Sequence, residues 1–201
     1  MDFTLSEYRR LITALREKGY AGLTFTEYLH GIRPERFVML RHDVDLKPGN
    51  SLAVAWLEKE ERMKASYYFR AVPESWDEAV IKEIAVLGHE VGYHYESLTT
   101  CHGDLAAAYQ DFQENLGRLK EFAPVETICM HGSPRSPWDS RDLWKQYDYH
   151  SLDILGEPYF DVDFSDVFYL TDTGRRWDGF KVSRRDKIEG HQDCWCAQGL
   201  V

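Results

Sequence analysis

Four runs rich in β-branched and aromatic residues, FVMLRHD (37–43), ASYYFRA (65–71), EVGYHYE (90–96) and VETICMHG (125–132), alternate with segments whose apolar residues fall at helical spacing. This alternation constrains the fold more than any other feature. Strands separated by whole helices do not pair as hairpins. They pair in parallel, with each crossover covering a face of the sheet. The fold class expected is therefore α/β, a parallel sheet or barrel.

The helices carry their own signals. Thr4 and Glu7 form a capping-box pattern ahead of Tyr8, Leu11, Ile12 and Leu15, and Gly19 supplies a stop, predicting a helix over 5–18. Leu52, Trp56 and Met63 mark a second over 50–63. Ser75 and Glu78 read as another capping box before Val80, Ile84 and Leu87, in a helix ending near Gly88. Leu105, Phe112, Leu116 and Leu119 make one stripe over 103–122, and SRDLWKQY (140–147) is a short helix. LDILGEPYFDVDF (152–164) and DVFYLTD (166–172) read as extended runs. No Pro/Gly/Ser linker divides the chain, so a single domain over 1–201 is expected.

In parallel α/β folds, functional side chains gather at the carboxyl ends of strands, where the βα loops open. Three strand ends here are chemically loaded. The first bears Arg41, His42, Asp43 and Asp45; the second His94 and Glu96; the third His131. Side chains two apart on a strand share a face, so Asp43 can point with Asp45 and His94 with Glu96, while His42 points away from the pair. Taken singly, a strand-end histidine is ordinarily a hydrogen-bonded structural group, and an aspartate a turn or cap residue. Carboxylates and imidazoles converging from three strand ends have the ligand types of a divalent metal site.

The formal net charge of −10 and a pI near 5.3 disfavour nucleic-acid binding, which calls for a basic surface. The N-terminal segment has no apolar stretch of secretory length, and no window approaches a membrane span. The four cysteines, Cys101, Cys129, Cys194 and Cys196, do not make a disulfide framework in 201 residues. The chain reads as cytoplasmic, without membrane insertion and with reduced thiols, and no feature sets its oligomeric state. CWC at 194–196 is only a weak metal-chelating signal.

RHDVD (41–45) followed by LGHEVGYH (87–94) resembles the polysaccharide deacetylase family (NodB-like, carbohydrate esterase family 4). The resemblance runs from Phe37 to His131, and MHGSP and YLTDTGRRWDG suit a divergent branch. It implies a distorted (β/α) barrel of parallel strands that hydrolyses amide-linked acyl groups, usually N-acetyl on amino sugars, with a divalent metal, zinc first among them. By position, Asp43 would be the general base, Asp45 a metal ligand and His94 the first histidine ligand. The family's second histidine, four residues on, is Leu98 here. His131, Glu96 or His102 would replace it, His131 being favoured as the end of an adjacent core strand. The family's late histidine has no clear counterpart: His191 is flanked by GHQDCWCAQG, which is not an apolar strand. Either the chain stops short of the barrel's final elements or another group is the acid, so no general acid is assigned.

The resemblance implies a small-molecule or glycan substrate. Arg41 is placed to orient Asp43, and Glu96 lies beside His94. Tyr95 and Trp138, with Trp76 and Trp177, are candidate platforms for a sugar ring. Arg135, with Arg175 and Arg176, could meet an anionic group on the substrate. Two other functions remain open: a barrel that binds a glycan or metal without turnover, and a hydrolase of a small non-sugar amide.

Overall fold

The computed structural model describes residues 3–133 and 136–171. The chain divides into two compact units, Met1–Phe160 and Asp161–Val201. The sheet and the candidate site lie wholly in the first. In the second, the described residues 161–171 contain turns, with Asp163 Oδ1 accepting from the Ser165 N–H at 2.9 Å. Among the described residues no helix is long and apolar enough to cross a membrane.

Helix α1 (Leu5–Glu17) starts where Thr4 accepts from the Glu7 N–H. Strand β1 (Ala21–Leu23) and helix α2 (Phe25–Leu29) follow. Neither was expected from the sequence, although Thr24 and Glu27 form a complete capping box at the start of α2. The run at 37–43 is not one strand. β2 (Phe37–Met39) pairs in parallel with β1, and β3 (Arg41–Val44) pairs with β4 (Ser66–Phe69), so the chain changes partner at Leu40. Helix α3 (Pro48–Glu60) links β3 to β4, and α4 (Glu78–Val86) links β4 to β5 (Glu90–Tyr95). α5 (Ser97–Thr100) and α6 (Leu105–Lys120) lead to β6 (Ile128–Met130).

The main sheet is parallel, in the order β3-β4-β5-β6, and curls into a half-barrel rather than a complete (β/α) barrel. Thr127 and Gly156 add a single parallel bridge beyond β6. The later extended runs do not form as expected. Residues 152–164 hold the end of a 3₁₀ turn and a short helix, α7 (Pro158–Asp161), and no strand occurs in the described part of 166–172. Pro158 favours this outcome, since it lacks the N–H a ladder needs but suits a first helical turn. At α4 the cap is Asp77, which accepts from Ala79 and Val80 N–H. Ser75 instead accepts from the Arg70 N–H at 3.0 Å and donates to the Val44 carbonyl.

The two faces of the sheet differ sharply. Val44, Tyr67, Phe69, Val91, Tyr93, Tyr95, Ile128 and Met130 point outward into the main core, against Ile81, Ile84, Phe112, Leu116 and Leu119 of the helices. The residues between them, Arg41, Asp43, Tyr68, Gly92, His94 and Cys129, line the concave face. There Tyr68 lies across Gly92 and its hydroxyl meets Thr127 Oγ1 at 3.1 Å. A Cβ on residue 92 would overlap the Tyr68 ring and stand 3.0 Å from the Thr127 carbonyl oxygen. Gly92→Ala is expected to lower stability by about 1–3 kcal/mol in urea unfolding, the usual cost of overpacking.

His42 points outward, as its parity requires. Its Nε2 sits 2.7 Å from Oε1 of Glu58, which is fully buried. Tyr67 donates to the same carboxylate at 2.5 Å, and Tyr8 of α1 donates as well. Burial pushes the Glu58 pKa up, but the His42 charge and the hydrogen bonds from His42, Tyr67 and Tyr8 outweigh it, holding the carboxyl below its ordinary 4.5. A depressed folded pKa means stability that is present above the unfolded value and lost as pH falls through the folded one. Glu58→Ala is expected to cost about 3–5 kcal/mol at neutral pH, because it strands buried donors. Urea unfolding should show that deficit shrinking below pH 4.5.

Candidate functional site

The strand register sets out the site in rows. Val44, Phe69, Tyr93 and Ile128 are paired neighbours across the sheet. The next row along, on the concave face, is therefore Asp45, Arg70, His94 and Cys129. Glu96 and His131 stand two residues further, where the His131 N–H donates to the Tyr95 carbonyl at 2.8 Å.

Three donor atoms converge at this end. Asp45 Oδ1 lies 3.0 Å from His131 Nδ1 and 3.7 Å from His94 Nε2, and the two imidazole nitrogens are 3.2 Å apart. Asp45 Oδ1 is buried, yet it has no hydrogen bond of acceptable geometry despite the nearby imidazole. A divalent ion held tetrahedrally at about 2.0–2.2 Å spaces its nitrogen and oxygen donors by roughly 3.3–3.6 Å. The triangle brackets that spacing, and Asp45, His94 and His131 form a group that could hold a metal ion.

His94 is prepared for that role. It is almost fully buried, and its Nδ1 lies 2.9 Å from the Cys129 carbonyl. A carbonyl only accepts, so the proton sits on Nδ1 and the Nε2 lone pair faces Asp45 and His131. Burial lowers the His94 pKa against the opposing charges of Asp43 and Asp45, which keeps the ring neutral. Burial pushes the Asp45 pKa up, but the His131 contact and the charges of His94, His131 and Arg70 more than offset it, leaving the carboxylate ionised.

Asp43 stands beside the triangle, with Oδ2 3.9 Å from His94 Nε2 and accepting from Arg41 Nη2 at 3.1 Å. Glu96 Oε2 is 3.9 Å from His131 Nε2, and Glu96 Oε1 accepts from Arg70 Nε at 2.8 Å. Glu96 thus stands behind His131 rather than in the triangle. Arg70 Nη1 also donates to the Asp45 backbone carbonyl at 3.4 Å, tying β4 to the loop after β3.

Other expected residues are placed elsewhere. Tyr95 alternates with His94 and points into the core, where it packs on Phe112 and its hydroxyl accepts from Trp144 Nε1 at 2.8 Å. It does not reach the concave face, which corrects its assignment to substrate binding. Leu98 is buried in the same core. Trp138 covers Gly103: a Cβ there would overlap the indole, and the positive φ of 89° would strain any other residue as well. His102 is exposed, with its ring 5.9 Å from that of Trp138, outside the donor group. Trp76 packs edge-on against Phe122. Arg135, Arg175, Arg176, Trp177, His191, Cys194 and Cys196 lie outside the described residues.

Arg70 and Cys129 of the site, and Glu157 outside the donor group, are not predicted from the sequence as functional residues. Arg70 directly follows β4, as Asp45 follows β3, so the strand-end rule that found the others applies to it equally. Cys129 is two residues before His131 on the same face, a period-2 signal. Glu157 had no signal. It is fully buried, accepting from the Met130 N–H at 2.9 Å and from the Tyr159 N–H at 2.5 Å. Burial pushes its pKa up to about 8, against those two bonds and the charges of Arg41 and Arg141. The Arg41 guanidinium also lies 5.5 Å from the Tyr159 ring centre.

Comparison with protein-family models, with curated proteins and with solved structures returned no match to this chain.

Proposed function

We propose that this chain is a metal-dependent amide hydrolase of the polysaccharide deacetylase type, removing an acyl group from the nitrogen of an amino sugar or sugar precursor. One observation carries the reading: the donor triangle of Asp45, His94 and His131, with His94 buried at its base and a separate carboxylate, Asp43, at its side. One carboxylate and two imidazoles suit a borderline divalent ion, and zinc is the natural choice. When bound, such an ion supplies Lewis acidity toward a carbonyl oxygen and toward water.

The remaining work falls to the protein. Asp43, outside the triangle, takes the proton of the attacking water as general base, and Arg41 fixes the orientation of its carboxylate. Glu96, held by Arg70, orients His131 from behind. Tyr68 across Gly92 forms the floor, so substrate and water approach from the strand ends, where the Asp45 side chain is 47% exposed.

Elemental analysis of the purified chain, paired with release of acetate from N-acetylated amino sugars, tests the proposal. One divalent ion per chain and metal-dependent acetate release are the expected results. A chain that neither retains nor takes up such an ion would overturn it. A second reading, binding of a glycan or metal without turnover, is favoured by Leu98, which faces the core at the position where the family places a histidine. Stoichiometric metal and sugar binding with no acyl release would select that reading.

A further inference from the structure

Beneath the triangle lies a second set of donors. Cys129 is the β6 partner of His94 in the strand register, and the two face the same concave side. Its side chain is fully buried, and Asp43, His94 and Cys129 offer a carboxylate oxygen, an imidazole nitrogen and a thiol sulfur all within 4.8 Å of one another. We propose that these three residues form an alternative, lower seat for a thiophilic divalent ion, and that an ion there excludes one from the Asp45–His94–His131 seat.

Exclusion follows from His94. Its Nδ1 proton is committed to the Cys129 carbonyl, so Nε2 carries the one available lone pair, and both donor sets need it. The chemistry differs between the seats. The upper one is all nitrogen and oxygen, whereas the lower one adds sulfur, which hard ions such as Mg²⁺ do not favour and soft ones do. On binding, a metal–sulfur bond replaces the S–H bond of Cys129, and the proton leaves to solvent. The consequence for activity rests on the proposed function: an ion in the lower seat also takes Asp43, the general base. A thiophilic ion would then inhibit by occupying the base and the shared histidine together.

The test uses Cd²⁺ and reads the thiolate-to-metal charge-transfer band in the ultraviolet. In a metal-free chain whose Cys101, Cys194 and Cys196 are replaced by serine, Cd²⁺ should raise this band to saturation at one equivalent. Cys129→Ser, which is nearly isosteric, should abolish it. Asp43→Asn should move the Cd²⁺ midpoint to higher concentration. No band in the sole-cysteine chain, or a titration indifferent to Asp43→Asn, overturns the proposal. Asp45→Ala and His131→Ala separate this idea from the functional one, because neither residue belongs to the lower seat. If both variants keep the band but lose zinc from the upper seat, both readings stand. If they keep their zinc, the upper seat falls and the lower survives. Zinc loss in them, with no band in the sole-cysteine chain, sinks the lower seat alone.

Discussion

Asp45→Ala is expected to strip the purified protein of its divalent ion while leaving its far-ultraviolet circular dichroism unchanged. Asp45 follows the last residue of β3, and its side chain is 47% exposed. Its N–H bond to the Asp43 carbonyl, 3.1 Å long, belongs to the backbone and survives the substitution. Folding therefore loses little. The ion loses much more, since Asp45 is the one carboxylate in a set whose other two donors are imidazoles. Removing residues that merely support metal ligands typically weakens metal binding by about 10–100-fold, and losing a ligand should exceed that. His131→Ala should give the same outcome by elemental analysis. An unchanged ion-to-protein ratio in both variants would refute the assignment of the triangle.

Asp43→Asn is expected to keep the ion in the upper seat and to lower kcat for acyl release by about 10²–10⁴-fold, the usual contribution of a positioned general base. Asparagine keeps the shape of the side chain and an oxygen able to accept from Arg41, so the geometry around His94 is preserved. It does not accept a proton from water. Steady-state kinetics on the metal-loaded variant, with metal content measured in the same sample, decide the matter. A variant with full ion occupancy and undiminished kcat would show that Asp43 is not the base.

The legible and illegible parts of this molecule separate along physical lines. The helix starting after Thr4 was legible because its cap and its apolar stripe lie within one short window. Thr24 and Glu27 carry the same capping pattern, but the helix they cap is five residues long, too short for an apolar stripe to mark it. The cap of α4 was misplaced by two residues. Ser75 and Asp77 are both good cap residues, and Ser75 is drawn away by the carbonyl of Val44, 31 residues earlier. The split at Leu40 was invisible because it depends on β1, a three-residue strand with no pattern of its own. Within the site, the parity that placed His94 on the concave face also sends Tyr95 to the core, a consequence the sequence already contained.

The sequence by itself determined the alternation of strand and helix from β3 to β6 and which of those strand ends carry carboxylates and imidazoles. Those are properties of period-2 and period-3.6 patterns, written within a few residues. Only the tertiary structure decided which candidates meet. His131, Glu96 and His102 were all admissible partners for Asp45 and His94. Strand register and sheet curl bring His131 to 3.0 Å from Asp45, set Glu96 behind it and leave His102 at the surface. Register and curl are set by pairing between segments dozens of residues apart, and the same pairing brings Cys129 beneath His94.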